Sequence, residues 1–87
     1  VRCYIGKVGE FPVVSDCGET ISALMIRKGW QWRTCVDFLI AHIRNSDLGD
    51  DVDVNPELRS YAIPERPIDK AIIAILSAVA RVREATP

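Results

Sequence analysis

VRCYIGKVGEFPVV, residues 1–14, decides the fold class of this 87-residue chain. Read as a β-hairpin, it makes the chain a small α+β domain. Read as an irregular lead-in, it leaves an all-α bundle. The hairpin reading rests on Gly9-Glu10, a two-residue turn with glycine at the first central position, where a type II′ turn needs positive φ. Val8 and Phe11 then form the hydrogen-bonded pair that closes the turn, and Lys7 and Pro12 the next, non-hydrogen-bonded pair. Pro12 turns its missing N–H away from the first strand, so its outer side is expected to be an edge, where proline is tolerated. A lone hairpin is marginal in water. It needs a third strand, a helical backing or a strand from another copy. DVDVN, residues 51–55, alternates and offers either that strand or a polar loop.

Downstream of the hairpin, SDCGETISALMIRKG (15–29) carries helix signals at both ends. Asp16 and Glu19 have the spacing of a capping box, with Asp at the N-cap. Gly29 suits the left-handed position after the last turn, where Arg27 and Lys28 also complement the helix dipole. The next stretch, RKGWQWRTC (27–35), holds both tryptophans. Thr34 and Asp37 form a second capping signature, which places the next helix from about Cys35 to Asn45 and leaves Trp30-Gln31-Trp32 as an extended connector. On such a connector both rings point the same way. Trp30, just past Gly29, is expected to fold back towards Met25. Val36, Leu39, Ile40 and Ile43 have core-facing spacing, with Phe38 almost opposite, near Cys35 and His42.

NPELRSY (55–61) opens with Asn and Pro, both favoured at a helix start, and predicts one or two helical turns. Pro67 can serve as the first residue of a last helix running from Ile68 to about Glu84. Ile68, Ile72, Ile75, Val79 and Val82 form one stripe on it, Lys70, Ser77, Arg81 and Glu84 the opposite face, and Ile73 falls outside the stripe. The expected architecture is a single domain over 1–87: an N-terminal hairpin packed on three main helices and one short one.

Composition narrows the function classes. Net charge is −1, whereas nucleic-acid binders of this size carry a positive excess to contact phosphates. Residues 1–46 hold six basic and four acidic side chains, and residues 66–87 four and two. Between them Asp47, Asp50, Asp51, Asp53 and Glu57 form an acidic block read as a solvated loop. The hydrophobic share of 48% is rich for so small a body and hints that another chain covers part of it. Cys3, Cys17 and Cys35 are odd in number and widely spaced, which predicts reduced thiols and a cytoplasmic location. No basic start leads into an apolar core, as a secretory signal would, and Ala71–Ala80 is too short to span a membrane. The chain begins at Val1 rather than Met, which fits a processed chain or a piece of a longer one.

No site assembles in the sequence. Cys35 and His42, seven apart on one helix, stand ~10 Å apart along its axis and cannot form a catalytic dyad. The cysteines and the histidine lack the close pairs of a zinc site. Asp51, Asp53 and Asn55 match the start of a calcium-binding EF-hand loop, but Pro56 and Ala62 stand where that loop needs Gly and Glu. Neither catalytic residues nor a metal or cofactor are expected. A helix-turn-helix around Gly29 would bring Arg27, Lys28, Arg33 and Arg44 to phosphates, but the bulky Trp-Gln-Trp connector and the polar Lys28 in the turn weigh against it. The reading that takes the remaining observations together is a non-enzymatic protein-interaction or assembly module, self-associating as a homodimer, compatible with a viral or accessory structural role. Its expected contact residues are Trp30, Trp32, Arg33, Phe38 and Ile73, because Trp and Arg are enriched at binding hot spots.

Overall fold

The computed structural model describes residues 3–87. Val1 and Arg2, at the start of the expected hairpin, lie outside the described residues. The chain is a small α+β domain in which two antiparallel hairpins build one four-stranded sheet, backed by helices. The first hairpin is β1 (Tyr4–Val8) and β2 (Phe11–Ser15), with Val8 opposite Phe11 and Gly9 at φ 62, as the turn requires.

The second hairpin, β3 (Asp53–Asn55) and β4 (Glu57–Tyr61), replaces the short helix expected over residues 55–61. Asn55-Pro56 suits a tight turn as well as a helix start. Tertiary packing decides between them. Val54 and Leu58 face each other across the hairpin and are both buried, and the Leu58 main chain is held by Asp16. The strand order is β1-β2-β4-β3, so DVDVN reaches the far edge rather than the first hairpin.

β4 also overturns the edge expected beyond Pro12. Val13 pairs with Tyr61 and Ser15 with Arg59. Proline is tolerated because that ladder begins only at Val13. Pro12 contributes its carbonyl alone, accepting the Ala62 N–H at 2.9 Å.

Asp16 closes β2 and starts α1 (Glu19–Lys28). Its carboxylate accepts the N–H groups of Gly18 (2.9 Å), Thr20 (3.1 Å) and Leu58 (3.0 Å). It caps the helix from two residues upstream, with Gly18 rather than Asp16 in the N-cap position, and Glu19 takes no part in a reciprocal box. Gly29 ends α1 at φ 68, in the left-handed position expected of it.

α2 (Trp32–Leu39) begins three residues before the expected start at Cys35, with Gln31 as N-cap. Thr34 is therefore inside the helix and does not cap it. α2 continues into a π turn, Ile40–Arg44, closed by the Asn45 N–H on the Ile40 carbonyl at 2.9 Å. Leu39 and Ile43 from the predicted stripe are fully buried, and Val36 and Ile40 pack at its margin.

α3 (Ile68–Ala85) lies across β2 and β4. Pro67 takes the N-cap position rather than the first helical one. Ile75, Val79 and Val82 are buried and Ile68 and Ile72 half-buried, with Ala71, Ala74 and Ala78 letting the helix approach the sheet closely. At about 1.5–3 kcal/mol for each fully buried aliphatic side chain, this face supplies a large part of the fold's hydrophobic stabilisation.

The acidic block is not a free solvated loop. Asp47, in a short 3₁₀ turn (Asp47–Asp50), pairs with Arg81 of α3 at 2.6 Å. Asp51 pairs with Arg66 at 2.9 Å and Asp53 with Arg44 at 3.8 Å, and Glu57 pairs with Arg59. Bases from four separate places pair with four of the five carboxylates of a run that looks isolated in sequence.

Candidate functional site

The helical layer covers β2 and β4 but leaves β1 bare. All five β1 residues are exposed, and so is Phe11 across the turn. Side chains of neighbouring strands share a face when they stand opposite one another. Ile5 faces Val14, which is buried beneath the helices, yet Ile5 itself is 64% exposed because no helix extends over it. Tyr4, Val8 and Phe11 lie on the other face, and Phe11 is 60% exposed. The hairpin thus overhangs the body with apolar side chains on both faces.

The main chain of β1 has an orientation that follows from its neighbours. The Ala62 N–H donates to the Pro12 carbonyl, and the Asp16 N–H donates to the Leu58 carbonyl at 3.1 Å. Pro12 and Asp16 therefore turn their polar groups towards β4. By alternation Phe11, Val13 and Ser15 turn theirs towards β1, where they meet Val8, Gly6 and Tyr4. The N–H and C=O groups of Ile5 and Lys7 face outward along the free edge. An unpaired edge of this kind is a template for another strand, and Lys7 is the one charge on β1 that works against such pairing.

The residues expected to bind a partner fall in other places. Trp30 is half-buried at the margin of the core, its ring 5.3 Å from Phe38 of α2. Phe38 is in turn stacked on His42 at 4.0 Å, and the His42 Nδ1–H donates to the Phe38 carbonyl at 3.0 Å. Trp32 lies outside this cluster and is 51% exposed. Because α2 starts at Trp32, the two tryptophans do not share an extended connector, and their rings diverge. Arg33 is exposed and pairs with Asp37 one turn on, at 3.4 Å. Ile73 is 61% exposed on α3, with Leu76 exposed one turn further. Trp32, Arg33 and Ile73 are accessible; Trp30 and Phe38 belong to the margin of the core.

Each of the bases considered for nucleic acid has a contact within the chain, part-buried for Arg44 and Arg27 and exposed for Arg33 and Lys28. Arg44 pairs with Asp53 and donates to the Val54 carbonyl, and Arg33 is matched by Asp37. Arg27 donates to the Thr86 carbonyl at 3.3 Å and Lys28 to Pro87 at 3.1 Å, tying the end of α1 to the end of α3.

An open cleft of about 550 Å³ separates α1 from the last turns of α3, over Leu24, Val79 and Val82. Glu19, Arg27 and Arg83 line it, and Cys17 stands at one end. His42 is not among its lining residues, so the thiol there has no histidine base. Burial pushes the thiols of Cys3 and Cys35 up, away from the reactive thiolate. All three cysteines are free. Among the described residues no three of His, Cys, Asp or Glu converge as a metal would require, and no helix is long and apolar enough to cross a membrane.

Sequence reasoning found the hairpin but not its overhang. Which side of it receives the third strand depends on β4, which the Asn-Pro signal had disguised as a helix. Comparison with protein families, characterised proteins and solved structures finds no match to this chain.

Proposed function

We propose that this chain is a non-enzymatic protein-interaction and assembly module that associates with copies of itself. The observation that carries this reading is the bare first hairpin. Tyr4, Val8 and Phe11 on one face and Ile5 on the other are exposed, on an element that the helical layer does not cover. A lone overhang of this kind gains by pairing, since its apolar surface leaves water while its edge hydrogen-bonding groups exchange water for main-chain partners. Trp32, Arg33 and Ile73 are accessible for secondary contacts. The three unpaired thiols fit a reducing, cytoplasmic setting. The nucleic-acid reading draws less support, because Arg44 is held by Asp53 and the Val54 carbonyl and the net charge is −1.

Light scattering over a dilution series from near-millimolar to low micromolar tests the proposal. The expected result is a mass that falls from about twice the monomer value towards the monomer value on dilution. A monomer at every concentration would overturn it.

A further inference from the structure

Resting on self-association as proposed above, we infer that two copies join edge to edge through β1, antiparallel about a two-fold axis at Gly6, merging two four-stranded sheets into one of eight. The occupant of the free edge is a second β1 because the edge complements itself in one register. The outward main-chain groups belong to Ile5 and Lys7. With the axis at Gly6, Ile5 meets Lys7 of the second copy and Lys7 meets its Ile5. Each pair exchanges both N–H···O=C bonds. Tyr4 then lies beside Val8 of the second copy, an aromatic and β-branched pair of the kind that stabilises sheets. Every residue of β1 is paired.

The neighbouring registers are worse. An axis at Lys7 sets two ammonium groups directly opposite each other. An axis at Ile5 sets Lys7 against Cys3, beyond β1, and gives up the pairing of Tyr4 with Val8. Any antiparallel two-fold pairing of this edge puts both helical layers on one side of the joined sheet. They are kept apart there, since neither extends over its own β1, and Ile5 fills the space between them. The surface available is modest. β1 from both copies buries at most on the order of 1,000 Å² in total, at the lower limit for a specific interface. The dimer is therefore concentration-dependent and not obligate.

Two variants test this. Lys7→Pro removes an outward N–H that the β1–β2 ladder does not use, so folding survives by circular dichroism. It is expected to weaken dimerisation at least about tenfold. Gly6→Cys, in a Cys3→Ser, Cys17→Ser background, places two thiols at the axis. Nothing lies within 4 Å of a Cβ at Gly6. Non-hydrogen-bonded partners stand about 4.5 Å apart at Cα, within disulfide range. With oxidised glutathione as the oxidant, Gly6→Cys is expected to give a covalent dimer in high yield, and Val8→Cys in the same background only a trace. If the wild type dimerises but Lys7→Pro dimerises equally well, or Val8→Cys cross-links as fully as Gly6→Cys, the β1 edge is wrong while self-association stands. A wild-type chain that never dimerises overturns both.

Discussion

Asp16 and Leu58 are joined by reciprocal hydrogen bonds: the Asp16 N–H donates to the Leu58 carbonyl at 3.1 Å, and the Leu58 N–H donates to the Asp16 carboxylate at 3.0 Å. The side chain thus does for β4 what a neighbouring strand would, extending the β2–β4 ladder beyond Ser15. The same carboxylate starts α1. One buried residue therefore fixes where a strand ends, where a helix begins and which segment pairs beside them.

Replacing Asp16 with alanine strips an acceptor from Gly18, Thr20 and Leu58 together. A buried donor left without a partner costs about 1–3 kcal/mol. Asp16→Ala is expected to lose about 3 kcal/mol, a fall of roughly 15 °C in Tm by calorimetry. Asp16→Asn, which keeps one acceptor oxygen, is expected to lose less. Equal Tm values for Asp16→Ala and wild type would remove this residue from the centre of the fold.

Gly49 follows the turn after Arg44, and a Cβ placed there would run into the Arg44 carbonyl. That contact is backbone, which cannot swing aside. Gly49→Ala is expected to destabilise by about 2 kcal/mol in urea unfolding, with Gly6→Ala, where the space is open, within about 0.5 kcal/mol of wild type. A neutral Gly49→Ala would show that the 3₁₀ turn can move off Arg44.

The ion pair between Asp47 and Arg81 gives a pH signature. The Arg81 guanidinium, bonded to Asp47, holds its carboxyl below the usual carboxylate range. A lowered folded value favours the ionised form in the native state. The contribution is therefore full above the unfolded carboxylate value and fades as pH falls through the lower folded one. Asp47→Asn is expected to be less stable than wild type at neutral pH, by a small margin because the pair is exposed, and to match it in strong acid. A gap that persists unchanged in acid would contradict the assignment.

The two tryptophans should separate cleanly. Trp30 packs on Phe38, whereas Trp32 is half in solvent. Trp30→Ala is expected to cost about 2 kcal/mol and Trp32→Ala within about 0.5 kcal/mol. In Trp32→Phe the remaining emission should be blue-shifted and poorly quenched by iodide. The reverse pattern would mean that α2 starts later than Trp32.

What could be read from the sequence were the elements with strong local signals. Gly9 and Gly29 mark conformations that few other residues adopt, and the apolar spacing of α3 has the helical period over five turns. What could not be read depended on distant partners. ELRSY alternates weakly, and Asn55-Pro56 pulls the reading towards a helix until Val54 and Asp16 are seen to hold Leu58 in a strand. Thr34 and Asp37 imitate a cap, but Asp37 turns to Arg33 instead. The acidic block finds its bases at Arg44, Arg66 and Arg81, up to 34 residues away. The candidate surface followed the same rule. Tryptophan and arginine drew attention by type, while β1 is exposed only because β4 and the helices settle elsewhere.

Copies that meet through the bare hairpin lose their contact when the apolar side chains of β1 are made polar. Sedimentation equilibrium of the wild type beside an Ile5→Ser, Val8→Ser variant, at equal concentrations and with matching circular dichroism, checks this. The expected result is a monomer–dimer equilibrium for the wild type and a monomer for the variant throughout the range. Equal association of the two, or a wild type that stays monomeric at the highest concentration, would overturn it.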